Sequence, residues 1–256
     1  MTTSCLSTRI SLRWPPEPAF ENTDTIVLSV QKWYVDLRVD RATGTIDWAI
    51  AGERLQDEDS SEVVFTHELD SRSAFGVADC GTFSSLPNGD DLEVGVMPRP
   101  DLPGEPVRDY EEVWRKLSYR EATKGLSSCL SYVLESGTSQ LQLAEGEEKE
   151  ITRTFVGKIW GTCIVLRQKQ FVARSTEGKV VIKSGGEVSA RRENFDETSC
   201  EFRMKYSLGP ESEVLPTHSE IEAARADRFC SKGERFVVGG DEYVVRSFEV
   251  VYTRCG

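Results

Sequence analysis

The residues of this chain best placed to do chemistry lie in its last strand-like run. Val244, Arg246, Phe248, Val250, Tyr252 and Arg254 occupy every second position, so in an extended backbone they share one face. If that face turns into a barrel, Arg246 and Tyr252 become polar groups beside Phe248 in an apolar cavity. A guanidinium fork and a phenol can together hold a carboxylate, and the candidate ligand is then a small apolar carboxylate. The alternative places Arg246 at a barrel rim or against a carboxylate of the chain itself, because buried arginine is uncommon without a partner. Tyr34 and Arg38 form a similar pair near the N-terminus, where Trp33, Val35 and Leu37 make the better core face.

Other chemistries find little support. His67-Glu68 looks like half of a zincin motif, but the residue four places after His67 is Ser71, and the run reads as a strand where that motif needs a helix. His67 therefore reads as a structural or surface histidine. With His67 and His218 as the chain's two histidines, a multi-histidine metal site is excluded. Asp57-Glu58-Asp59-Ser60-Ser61-Glu62 resembles the start of a calcium loop, yet Glu62 stands where the turn glycine belongs, so a solvated acidic loop is expected. No P-loop, dinucleotide fingerprint or nucleophile elbow occurs. Seven cysteines are scattered without a CxxC pair, and reduced thiols are the simplest reading. With seven scattered cysteines, no particular Cys-His dyad stands out. No catalytic residue, metal or cofactor is expected.

Composition narrows the partners. The net charge is −12 over 256 residues, with no basic stripe, which disfavours nucleic acid and anionic membrane. A basic protein or a neutral small ligand fits such a surface better. The N-terminus lacks the pattern of a secretory signal, and no run approaches the roughly 20 apolar residues of a membrane span. Apolar content of 38% with 9% aromatics can support a core.

The elements that would position these residues are strands. Trp33 to Asp40 alternates apolar and charged residues, the signature of a half-buried strand. Arg41-Ala42-Thr43-Gly44-Thr45 then joins it to Ile46-Asp47-Trp48-Ala49-Ile50 as a hairpin. Eight short runs before residue 118, the last of which could instead be a short helix, predict a small antiparallel barrel. Pro98 to Pro106 reads as an extended loop, 121–127 as a linker, and Ser219 to Phe229 as one helix. The second half repeats the strand theme, with a further strand at 140–144. The expected architecture is all-β, mainly antiparallel, in two tandem barrels at 1–124 and 125–256.

A family resemblance rests on Trp33-Tyr34-Val35-Asp36-Leu37-Arg38, on Asp47-Trp48-Ala49-Ile50-Ala51-Gly52, on Gly81-Thr82-Phe83 with Leu86 to Glu93, and on Tyr110-Glu111-Glu112-Val113-Trp114-Arg115. Gly157-Lys158-Ile159-Trp160-Gly161 and the final strand match more loosely. In these words the chain resembles the fungal HRI family, named for interaction with a casein kinase I. The resemblance implies two lipocalin- or calycin-like β-barrels, a soluble protein of cytoplasm and nucleus, and binding to a casein kinase I, and it supplies no catalytic residues. Such kinases favour serines that follow acidic residues, which makes Ser60 and Ser61 phosphorylation candidates. The leading expectation is a non-enzymatic interaction module. The alternatives are a carrier of a small hydrophobic or fatty-acid-like ligand, and a calycin-type isomerase or cyclase, for which no convincing acid–base pair is present.

Overall fold

Strand β3 (Trp33–Asp40) follows the expected alternation, but it is buried on both sides. Trp33, Val35, Leu37 and Val39 face one way, and Tyr34, Asp36 and Arg38 face the other. A computed structural model describes residues 4–57, 59–77, 79–119, 130–137, 143–144, 146–225 and 231–250. Around β3 in the first half lie β1 (Cys5–Arg13), β2 (Thr23–Val30), β4 (Ile46–Leu55), β5 (Glu62–Phe65), β6 (Leu69–Asp70), β7 (Asp79–Ser85), β8 (Asp91–Pro98) and β9 (Val107–Lys116). The order β3-β2-β1-β9-β8-β7-β5-β4 returns to β3 through the β3–β4 pairing, so eight antiparallel strands close a barrel; β6 adds to β4. Closure removes the unpaired edges that an open sheet would present. The expected hairpin forms: Asp40 Oδ1 accepts the amides of Ala42 and Thr43 at 2.9 and 2.8 Å, and Gly44 takes φ +70.

The second half holds β10 (Leu130–Ser136), β11 (Glu148–Ile159), β12 (Thr162–Arg174), β13 (Val180–Gly185), β14 (Ser189–Asp196), β15 (Glu201–Leu208), β16 (Arg235–Val238) and β17 (Asp241–Val250). They form one sheet in the order β15-β14-β12-β11-β10-β17-β16, with β13 paired to β12. Helix α1 (His218–Arg225) occupies the described part of the expected helix and buries Ile221 in an apolar cluster with Tyr132, Val165 and Phe236. The molecule is thus all-β and mainly antiparallel, a closed barrel plus a second sheet. Residues 107–116 are strand, not helix. The expected boundary at 124/125 and most of the expected strand at 140–144 lie outside the described residues.

The main core lies between the halves. Trp33, Val35 and Leu37 point out of the barrel and pack with Phe155, Ile159 and Leu166 of the second sheet. The Trp33 and Phe155 rings stack at 6.0 Å. Gly157 sets how closely the layers approach: a Cβ there would lie 3.0 Å from Val35 Cγ2 and 3.1 Å from Val35 Cβ. Polar ties flank this seam. Asp24 accepts from Tyr206 at 2.8 Å and Arg192 at 3.3 Å, and Gln168 donates to the Asp70 carbonyl at 2.7 Å.

The seam carries a direct expectation. Gly157→Val forces branched carbons against β3 and should cost about 1–3 kcal/mol, as overpacking does. A urea midpoint unchanged from wild type would show that the two layers can part without penalty.

Candidate functional site: the lumen of the barrel

Because the apolar face of β3 is spent on the seam, its polar face lines the lumen. The interior encloses a cavity of about 760 Å³. Val27, Ile50, Phe65 and Phe83 supply an apolar wall, with Tyr34 donating its hydroxyl to the Thr66 carbonyl at 2.9 Å. The cavity opens at the end where the β2–β3, β4–β5 and β7–β8 connections lie. Ser4, Ser29, Ser85 and Ser118 border this mouth together with Arg54 and Lys116. Leu117 to Tyr119 leaves the barrel there; the Tyr119 hydroxyl donates to the Ser4 carbonyl, and its ring lies 5.7 Å from that of Trp160.

The floor is a buried ionic and aromatic layer. Arg38 donates to Asp36 at 2.9 Å and to Glu112 at 3.2 Å. Its guanidinium carbon lies 4.8 Å from the Trp48 ring centroid and 5.4 Å from that of Trp114, within cation–π range. Arg72 covers Trp48 at 4.2 Å. Arg9 reaches Glu112 at 2.5 Å and Glu21 at 2.7 Å. Burial opposes the charge on Arg38, but Asp36 and Glu112 outweigh it and raise its pKa. A second cavity of about 250 Å³ lies beyond and shares Arg38, Trp48 and Met97 with the first, so these three residues form the septum between them.

Glu93 is the unusual acid of the lumen. Its oxygens accept from the Tyr110 hydroxyl at 2.8 Å and the Trp114 indole at 2.7 Å. Burial, with the Glu112 charge added, pushes its carboxyl up to about 8, so at neutral pH it is mostly protonated. Two strand glycines make room for it. A Cβ at Gly81 would lie 2.3 Å from Glu93 Oε1, and one at Gly95 would lie 2.8 Å from the Tyr110 ring. Below the lumen, His67 bridges Asp70 at 2.8 Å and Asp79 at 3.0 Å. Burial works against its charge, but the two carboxylates raise its pKa to about 9.

The residues expected to bind a ligand sit elsewhere. Arg246 is ion-paired with the fully buried Glu135, and its guanidinium carbon lies 5.4 Å from the Trp33 ring centroid, at the seam. This is the environment of the alternative reading, a carboxylate of the chain itself. The final strand does not keep one face as expected. Val133 pairs with Ser247 but Leu134 with Val245, leaving Arg246 as the extra residue of a bulge, and a bulge shifts which residues point inward. Tyr243 and Val245 before it, and Phe248 and Val250 after it, therefore pack in the same cluster. Phe248 offers its carbonyl to Gln31 at 3.0 Å; Tyr252 lies outside the described residues. Ser61 is exposed, whereas Ser60 is half-buried and its hydroxyl accepts the Glu62 amide at 3.0 Å. His218 stacks on Phe202 at 3.5 Å, and burial lowers its pKa to about 4. No metal-binding cluster of His, Cys, Asp and Glu occurs among the described residues. Of the lumen set, the sequence reading offered Tyr34 and Arg38 as its lesser pair and missed the rest, although Trp48 and Trp114 also stand in the words that carried the resemblance.

The fold and cavity define a class: a hollow antiparallel β-barrel, open at one end and backed by a second antiparallel sheet. Within it the chain belongs to the HRI1 family, since the family model described as Protein HRI1 matches residues 5–246. The fold is similar to the crystal structure of an uncharacterized Saccharomyces cerevisiae protein, YLR301w, with a TM-score of 0.66 over 97% of this chain and 100% of that one. Sequence identity there is 15%, so the likeness concerns the fold alone. No curated protein matches the chain.

The titrations predict a pH dependence. Folded Glu93 holds its proton to about 8 against 4.5 when unfolded, and folded His67 holds its proton to about 9 against 6.5. In both windows the folded state binds more protons, so these two groups make stability fall as pH rises, by several kcal/mol together, whereas His218, held near 4 when folded against 6.5 when unfolded, makes it rise between those values. Below about pH 6.5 Glu93 and His218 offset each other, so urea midpoints should decline from about pH 6.5 to about pH 9. Glu93→Gln should leave the midpoint rising with pH below about pH 6.5, where His67 is protonated in both states and His218 titrates without the opposing acid. A wild-type slope retained in that variant would place the acid elsewhere.

Proposed function

We propose that this protein is a non-enzymatic binding module that holds a small, largely apolar molecule in the lumen of its first barrel. The observation that carries the reading is the cavity of about 760 Å³, a size typical of small-molecule sites. It has an apolar wall with a few placed polar groups, the composition expected of such a site. A carrier role is favoured over an isomerase or cyclase because the lumen acids already have partners. Glu93 is held by Tyr110 and Trp114, and Glu112 by Arg9 and Arg38. The expected location in cytoplasm and nucleus belongs to this proposal.

Native mass spectrometry of protein purified from its own cells should reveal a retained small molecule. Val27→Trp, which fills the lumen from β2, should abolish retention while leaving the far-ultraviolet circular dichroism of the barrel intact. Arg246→Ala should leave retention unchanged. Retention unaffected by Val27→Trp would put the ligand outside the lumen.

A second reading, docking to a casein kinase I, draws on the family resemblance and on one local feature. Ser61 is exposed in the β4–β5 loop, after the exposed Asp57 and Asp59. Incubation with the kinase should place phosphate on Ser61 in preference to Ser60, adding a charge of about −2 to an acidic loop. Site mapping that finds no phosphate between 57 and 62 ends this reading.

A further inference from the structure

We infer that the lumen selects apolar anions, with the acidic group held by Arg54 at the mouth and the apolar body directed down toward Trp48 and Met97. This rests on the reading that the lumen is a binding site, and it adds the chemical class and orientation of the ligand.

The first observation is the way the lumen's cations are paired. Arg38 is matched by Asp36 and Glu112, Arg9 by Glu112 and Glu21, and Lys116 by Asp91 at 3.1 Å. Arg54 differs. It is half-buried and lines the cavity, its guanidinium carbon lies 5.6 Å from the Phe83 ring centroid, and its Nη1 donates to the neutral Gln56 side chain at 3.1 Å. Among the described residues no carboxylate lies within ion-pair distance of it. Desolvating a cation without an opposite charge is costly, and burial accordingly lowers the Arg54 pKa. A planar guanidinium with free donors suits a carboxylate or a similar oxyanion.

The second observation is the sign of the opposite end. The floor gathers Asp36, Glu112 and Glu21 around Arg9 and Arg38, three acids against two arginines, while Arg72, on the side of the second cavity, is matched by Asp47 at 3.1 Å. Both arginines are already engaged, so an anion pushed to the floor would meet carboxylates without a donor to spare. Glu93, protonated at neutral pH, adds no charge there. Between the ends, Val27, Ile50 and Phe65 offer only apolar surface. An amphiphile with one acidic group therefore fits in one direction, head at the mouth and tail inward.

The test compares three probes of equal chain length, decanoate, decanol and decylamine, by isothermal titration calorimetry at neutral pH. Decanoate should bind about tenfold or more tightly than decanol, and decylamine more weakly than either. Arg54→Gln should remove the advantage of decanoate and leave decanol within about twofold, while Arg54→Lys should keep part of it. Val27→Trp should weaken acid and alcohol alike. Equal affinity for acid and alcohol in the wild type, tightest binding of the amine, or an equal effect of Arg54→Gln on acid and alcohol would each overturn the anion assignment. In those cases, decanol binding that Val27→Trp blocks still upholds the lumen as the site. Failure of all three probes to bind overturns the inference, and the lumen reading is then judged by the retained molecule alone.

Discussion

A strand buried on both faces has to satisfy two environments at once, and β3 is that strand. One face offers Trp33, Val35, Leu37 and Val39 to the second sheet; the other offers Tyr34, Asp36 and Arg38 to the lumen. The two demands are opposite. The seam needs dry, close contact, which Gly157 permits, whereas the lumen tolerates charge only because each ion finds a partner. Neither half would look as it does alone. Without the second sheet, the apolar exterior of β3 would be a large exposed patch on the barrel. With it, the barrel interior no longer has to serve as the main core and can stay hollow.

That division explains why so many charged groups lie inside the first half of a chain with ordinary apolar content. Arg38 sits between Trp48 and Trp114 while binding Asp36 and Glu112, so its desolvation is offset from several directions. Glu93 is accommodated by another route. It keeps its proton and accepts from Tyr110 and Trp114, a neutral arrangement that costs less in a dry site than an unpaired carboxylate. Gly81 and Gly95 on neighbouring positions show that backbone space was given up for this acid.

Much of the fold was legible because period-2 alternation is a local property. β3, the 41–45 turn and β4 follow from it directly, and so does the all-β class. The location of the core was not legible in the same way. Alternation states which residues share a face, but not what lies beyond it. Trp33, Val35 and Leu37 were rightly read as core, yet their core is the seam between halves. Asp36 read as the polar side of a half-buried strand because the groups that complete the surroundings of its partner Arg38, namely Glu112 and the Trp48 and Trp114 rings, come from other strands. Arg246 was misplaced for a different reason. A one-residue bulge re-aims the end of β17, and no glycine or proline at that point announces it.

The septum of Arg38, Trp48 and Met97 makes the barrel a vessel with one neck rather than a pipe. Exchange of any contents must then pass through the rim near Arg54 and Tyr119. The rate of loading and emptying is governed at that rim, while residence is governed by what the interior offers. Changes at the two ends should thus separate kinetically: altering the rim moves association and dissociation together, whereas altering the septum moves dissociation alone.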